Sequence, residues 1–139
     1  MIQRIQSIYL LLASIVSSTL FFFPFASGSG GSKPLFADGN LDLNDHIVLL
    51  ILTIASSICS TVAIFLYKNR IAQMNMGKLA MFVILGLVGT ASFLLFTSGA
   101  DYSLRAGLFV PFLSLILVIM ANRAINVDEK RVRDSNRIR

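Results

Sequence analysis

The stretch IVLLILTIASSICSTVAIFLY, residues 47–67, carries no charged side chain. A helix of about 20 apolar residues crosses the hydrocarbon core of a bilayer, and a charge placed inside that core is costly, so the segment reads as a membrane span. Three further stretches share the property: Ile5 to Ser32, Leu79 to Ala100 and Ala106 to Asn122. Together they predict an all-α fold, an integral membrane four-helix bundle of antiparallel up-down topology. The expected spans are 6–25, 47–67, 79–97 and 102–121, with an outer loop at 26–46 and a basic helical tail at 122–139.

Composition points the same way. Hydrophobic residues make up 55% of the 139-residue chain, charged residues 14%, and the mean hydropathy is +0.77. That balance leaves too little polar surface to cover a soluble globule. Outside the spans too little chain remains for a second core, so one domain is expected. The single cysteine, Cys59, lies mid-span and says nothing about redox compartment.

The charges give an orientation. With four spans the termini and the 68–78 link share a side. That side carries Arg4, Lys68, Arg70, Lys78, Arg123, Lys130, Arg131, Arg133, Arg137 and Arg139, ten of the 12 basic residues, against Lys33 and Arg105 opposite. Positively charged flanks are retained in the cytoplasm, so both termini are expected there. Tyr9, Tyr67 and Tyr102 all fall near the expected interfaces, where amphipathic rings settle. Arg4 followed by an apolar run and Phe25-Ala26-Ser27-Gly28 also has the outline of a cleavable leader. The run from Ile8 to Phe25 is 18 residues, however, longer than the about 7 to 15 of such segments, so it is expected to remain as a span.

Within the spans, Ser14, Ser17, Ser18 and Thr19 are expected to bond back one turn or across to a neighbouring helix. Ser56 and Ser60 share a face of the second span, and Gly86 and Thr90 a face of the third, which predicts close packing of the two through small residues. Pro24 ends the first span, Gly28, Gly30 and Gly31 with their serines form a flexible connector, and Ala37-Asp38-Gly39-Asn40 signals a turn. The helix of the second span is expected to run on past Lys68-Asn69-Arg70 through Ile71-Ala72-Gln73 until Asn75-Met76-Gly77 turns it. Arg105 is expected at the outer boundary, snorkelling to headgroups, with an inward role toward an anionic ligand as the sharper alternative. Pro111, inside the fourth span, is expected to bend it.

Asp42, Asp45 and His46 stand just before the second span. Their spacing matches no ligand motif, so the expectation is helix capping by Asn44 or Asp45 and no metal site. In the tail, Glu129 with Arg133 and Lys130 with Asp134 are spaced for i to i+4 pairs. Its basic excess suits anionic lipid headgroups. No aromatic platform accompanies the charge, so nucleic acid is not expected as a partner.

Two end segments, MIQRIQSIYLLLA at 1–13 and ANRAI at 121–125 with Asp128-Glu129, Val132-Arg133 and NRIR at 136–139, join YKNR at 67–70 in a familiar set. With them the chain resembles an uncharacterised family of small four-span bacterial inner-membrane proteins, known as a domain of unknown function. The resemblance implies architecture and location, and no activity or site residues come with it.

No catalytic, cofactor-binding or metal-binding constellation stands out, and the chain is not expected to be an enzyme. The expectation is a non-enzymatic subunit or scaffold of a membrane assembly, with a membrane-protein partner or a second copy of itself. The alternative is a small transporter or channel acting as an oligomer. Against it, no Asp, Glu, Lys or His lies within the expected spans.

Overall fold

The computed structural model describes the backbone of residues 3–29, 39–98 and 101–137, and the side chains of 5–28, 39–98 and 101–133. Four helices account for most of it: α1 (Gln3–Ser18), α2 (Ile47–Phe65), α3 (Arg70–Ser98) and α4 (Val110–Arg137). Each packs on the next in chain order, and α1 closes the ring against α4.

The residues that face inward recur every three or four positions, as one face of an α-helix requires. In α1 they are Gln6, Leu10, Ala13 and Ser17; in α2, Leu49, Thr53, Ser56, Ser60 and Ala63; in α4, Pro111, Ser114, Val118, Ala121 and Ile125. These faces are rich in small and hydroxylated side chains. The large apolar residues point the other way, with Phe22 83%, Phe82 76% and Phe96 86% exposed. Such a distribution would be unstable in water and suits lipid, where helices associate by close packing and hydrogen bonds because apolar burial gives no net drive. Three helices are long and apolar enough to cross a membrane, Ile47–Lys68, Arg70–Ser98 and Ala106–Arg133, while Ile5–Phe21 is a shorter apolar helix.

The two ends of the bundle differ. At one end a core of Leu20, Phe25, Leu41, Leu43, Leu49, Leu87 and Leu95 lies under a small antiparallel sheet. Its strands are β1 (Ala26–Ser29), β2 (Asn40–Leu41) and β3 (Asp101–Leu104), in the order β2-β1-β3. Ala26 pairs with Leu41 and Leu104, and Ser27 with Asn40 and Ser103. At the other end, the basic end, Leu10, Ala63 and Ala121 form a smaller cluster with Tyr9, Ile64 and Met76 against it.

Several expected boundaries move. The first helix stops at Ser18 and winds through a 3-10 turn, Thr19–Phe21, rather than continuing to residue 25. Pro24 disfavours helical backbone at Phe23, and the chain is already extended by Ala26. Ala26–Ser29 is the central strand and takes in Gly28, read from sequence as part of a flexible connector, whose amide donates to the Gly39 carbonyl at 2.9 Å. In the expected turn, Gly39 takes a positive φ of 75°, while residues 37 and 38 lie outside the described residues.

The second helix does not run on through residues 71–73: it ends at Phe65, and Asn69 is extended after a 3-10 turn. A new helix begins at Arg70, capped by Asn69 Oδ1 accepting from the Ala72 amide at 3.2 Å, and runs through Gly77 without a break. Gly77 is therefore not a stop. The fourth helix begins at Val110, not near residue 102, because residues 101–104 are claimed by β1. Pro111 then falls in the first turn, where an amide hydrogen has no intrahelical partner in any case, so it starts the helix and does not bend it. The tail continues α4 to Arg137 without interruption.

Candidate functional site

The bundle interior is the first place to look for chemistry, and it is lined with hydroxyls. Ser114 Oγ donates to the Ala13 carbonyl at 3.2 Å and lies 2.8 Å from Ser17 Oγ, tying α4 to α1. Ser14 and Thr61 join α1 to α2 at 2.9 Å. Ser18 and Thr19 bond back to the carbonyls of Ser14 and Val16, so the hydroxyls of the first helix take both expected roles. Thr53 and Ser56 likewise bond back, to Leu49 and Thr53. Ser60 Oγ is buried with no hydrogen-bond partner among the described residues. Among the described residues no base stands beside any of these hydroxyls, and their hydrogen bonds position helices.

The residues weighed for a metal site serve the backbone. Asp42 and Asp45 form a capping box around the 3-10 turn Leu43–Asp45, with the Asp42 amide donating to Asp45 Oδ2 at 2.6 Å. His46 is the residue that caps α2, its Nδ1 accepting from the Val48 amide at 3.3 Å. Capping is thus the role of the cluster, with His46 in the place expected for Asn44 or Asp45.

Arg105 does not enter the bundle. It is exposed, its Nε donates to Ser27 Oγ at 2.8 Å, and its amide donates to the Phe25 carbonyl at 3.0 Å. Beside it Gly107 donates to the Pro24 carbonyl at 3.0 Å. The residue thus fastens β3 to β1.

At the basic end three buried carboxamides face the interior: Gln6, Gln73 and Asn122. Gln6 Nε2 donates to the Ala124 carbonyl at 3.2 Å. Asn122 packs against Gly77, and neither of its polar side-chain atoms has a hydrogen-bond partner among the described residues. Arg70 forms an ion pair with Asp128 at 3.3 Å, linking the start of α3 to α4. Sequence reasoning missed this pair, since the two residues are far apart in the chain. The expected Glu129–Arg133 pair is present at 2.8 Å; the Asp134 side chain, and with it the Lys130–Asp134 pair, lies outside the described residues.

One outward surface stands apart. On α3, Phe82, Gly86, Gly89, Phe93 and Phe96 recur at intervals of three and four on one exposed face. A Cβ on Gly86 would meet Leu52 at 3.9 Å, an ordinary contact, and a Cβ on Gly89 would meet nothing within 4 Å. The expected seam between the second and third spans is therefore built differently. Helices α2 and α3 do pack, with Ser56 and Ser60 inward, but α3 meets the interior through Ala80, Ile84, Leu87 and Ala91, and its glycine pair faces out.

No curated protein and no solved structure matches the chain. A family model described as "Domain of unknown function (DUF4293)" matches residues 2–138, nearly the whole sequence, and the chain belongs to that family.

Proposed function

We propose that this protein is a non-enzymatic subunit or scaffold of a larger assembly in the bacterial inner membrane, with both termini in the cytoplasm. The observation that carries this reading is the glycine pair on the outward face of α3. Glycine in a helix costs about 1 kcal/mol relative to alanine, yet a Cβ at Gly89 would meet open space and one at Gly86 only an ordinary contact with Leu52. In lipid, helices approach one another through small residues. A notch of two glycines between Phe82 and Phe93 therefore suits the backbone of a transmembrane helix from another membrane protein. The cytoplasmic placement of the termini rests on the distribution of basic residues, ten on one side and two on the other.

The test is purification of the tagged full chain from its native membrane in mild detergent, with identification of what travels with it. A distinct membrane protein is expected, together with its loss from the Gly89→Ile variant, whose own fold has space for the new side chain. A lone monomer overturns the proposal. Recovery of additional copies of the same chain and nothing else overturns the larger assembly in favour of self-association.

A further inference from the structure

Between α1 and α4 at the basic end runs a groove of about 470 Å³ with two kinds of lining. Ile5 and Tyr9 of α1, with Met120 and Val127 of α4, supply apolar walls, and Arg123 and Arg131 of α4 supply two guanidinium groups. Met120, Arg123, Val127 and Arg131 are spaced by three and four residues, so they share one face of the helix. The groove is half open to its surroundings, with Ile5 48%, Met120 42% and Val127 48% exposed. Its floor is fixed where Gln6 donates to the Ala124 carbonyl.

Both acidic side chains described in the tail are already paired. Asp128 is paired with Arg70 and Glu129 with Arg133. Arg123 and Arg131 have no hydrogen bond or ion pair among the described residues. Arg123 is also the first charged residue after the apolar stretch of α4, and Arg131 follows about 12 Å further along the axis at 1.5 Å per residue. A groove whose apolar walls carry two unpaired guanidinium groups, at Arg123 and Arg131, matches an amphiphile whose tail is hydrocarbon and whose head is an anion. Guanidinium binds phosphate oxygens through paired N–H donors, which lysine does not do.

We propose that this groove is a binding site for one phospholipid with an anionic headgroup. An acyl chain lies along Ile5, Tyr9 and Met120, and the headgroup phosphate is held between Arg123 and Arg131, against Val127. The site rests on the membrane-spanning part of the reading above and is independent of any partner at α3. It also differs from a general attraction of the basic tail to the bilayer, because it assigns the affinity to two of the arginines and to an apolar slot.

The test uses the full chain in phosphatidylcholine bilayers doped with phosphatidylglycerol of the same acyl composition, scoring the lipid retained on purification by mass spectrometry. Enrichment of phosphatidylglycerol over phosphatidylcholine is expected for the wild type. Each of Arg123→Ala and Arg131→Ala is expected to lower the enrichment about tenfold, the equivalent of about 1.4 kcal/mol for a lost charge-assisted contact. Arg133→Ala removes the same charge outside the groove and is expected to leave the enrichment unchanged. Val127→Trp keeps every charge, fills the slot and is expected to lower it. Equal loss from Arg133→Ala, full retention in Val127→Trp, or equal thermal stabilisation by inorganic phosphate alone overturns the site. Failure of the membrane reading itself has a separate signature, recovery of the protein in the aqueous fraction without detergent.

Discussion

Asn122 of α4 seats its carboxamide in the gap that Gly77 leaves on α3, so a Cβ at position 77 would stand 2.8 Å from Asn122 Cγ. Both residues are buried, and Asn122 is only 5% exposed. The glycine is thus kept for a contact with another helix, against its poor intrinsic propensity for the helix interior.

Gly77→Ala sets a propensity gain of about 1 kcal/mol against overpacking of about 1–3 kcal/mol in a buried contact. The steric term is expected to win, because the carboxamide must leave a buried position to admit the methyl group, and the variant should unfold at lower temperature in detergent. Adding Asn122→Ala removes the obstructing group together with two buried polar atoms that lack hydrogen bonds. The double variant is therefore expected to be more stable than Gly77→Ala alone. A melt in which the two changes simply add would show that the contact is not the reason for the glycine.

Gly107 is a sterner case. A Cβ there would meet the Phe23 carbonyl oxygen at 2.6 Å and would also clash with the Pro24 carbonyl, and backbone cannot swing aside as a carboxamide can. Gly107→Ala is expected to cost about 2–3 kcal/mol and to loosen the sheet end selectively. The readout is a disulfide between Ser27→Cys and Ser103→Cys, register partners whose hydroxyls are 2.9 Å apart, in a Cys59→Ser background. The bond is expected to form readily with Gly107 and poorly with alanine. Equal rates would mean that the strand pairing does not depend on the approach of residue 107.

These glycines show where the sequence was legible and where it was not. The four apolar stretches could be read because the cost of a charge in hydrocarbon is local, and each segment declares itself without reference to the rest. The hydroxyls of Ser14, Ser17, Ser18 and Thr19 were readable for a related reason, since a buried donor must find an acceptor on its own helix or the next. Gly77 and Pro111 were misread because their meaning depends on register. Gly77 answers to Asn122, and Pro111 sits one residue after the helix begins, where a proline is harmless. The strand at Asp101–Leu104 depends on partners far back in the chain at Ala26–Ser29, and no local pattern announces a pairing over that separation. The groove at the basic end was hidden likewise, since its two walls come from opposite ends of the chain.

The Arg70–Asp128 ion pair should prove worth more than a surface pair. The side chains are 26% and 13% exposed, and Arg70 also reaches the Asp128 carbonyl at 3.4 Å. Asp128→Ala is expected to cost an amount between the roughly 0.2–1 kcal/mol of an exposed pair and the roughly 3–5 kcal/mol of breaking a buried one. Glu129→Ala, which breaks the Arg133 pair, is expected to cost about 0.5 kcal/mol or less, because that arginine is 71% exposed. Thermal melts of the two variants side by side decide the matter. Equal losses would show that the Arg70 pair is as solvated as its neighbour.

At the centre of the bundle, Ser17 and Ser114 separate two energies that are easily confused. The Ser114 hydroxyl lies within hydrogen-bond distance of both Ser17 Oγ and the Ala13 carbonyl, and Ser17 Oγ can donate to it when the Ser114 proton goes to that carbonyl. Removing that hydroxyl by Ser17→Ala is expected to cost only about 0.6 kcal/mol, the average for a hydrogen bond between membrane helices. Ser114→Ala is expected to cost no more, since Ser17 can turn its hydroxyl to the carbonyl one turn back on its own helix. Volume is another matter. Both side chains are almost fully buried, at 2% and 0% exposure, and Ser114→Leu would force α1 and α4 apart at a cost of about 1–3 kcal/mol or more. Melting temperatures in detergent should therefore fall in the order wild type, the two alanine variants, then leucine. Alanine variants as unstable as the leucine variant would mean that hydrogen bonding, and not the small size of these residues, holds the two helices together.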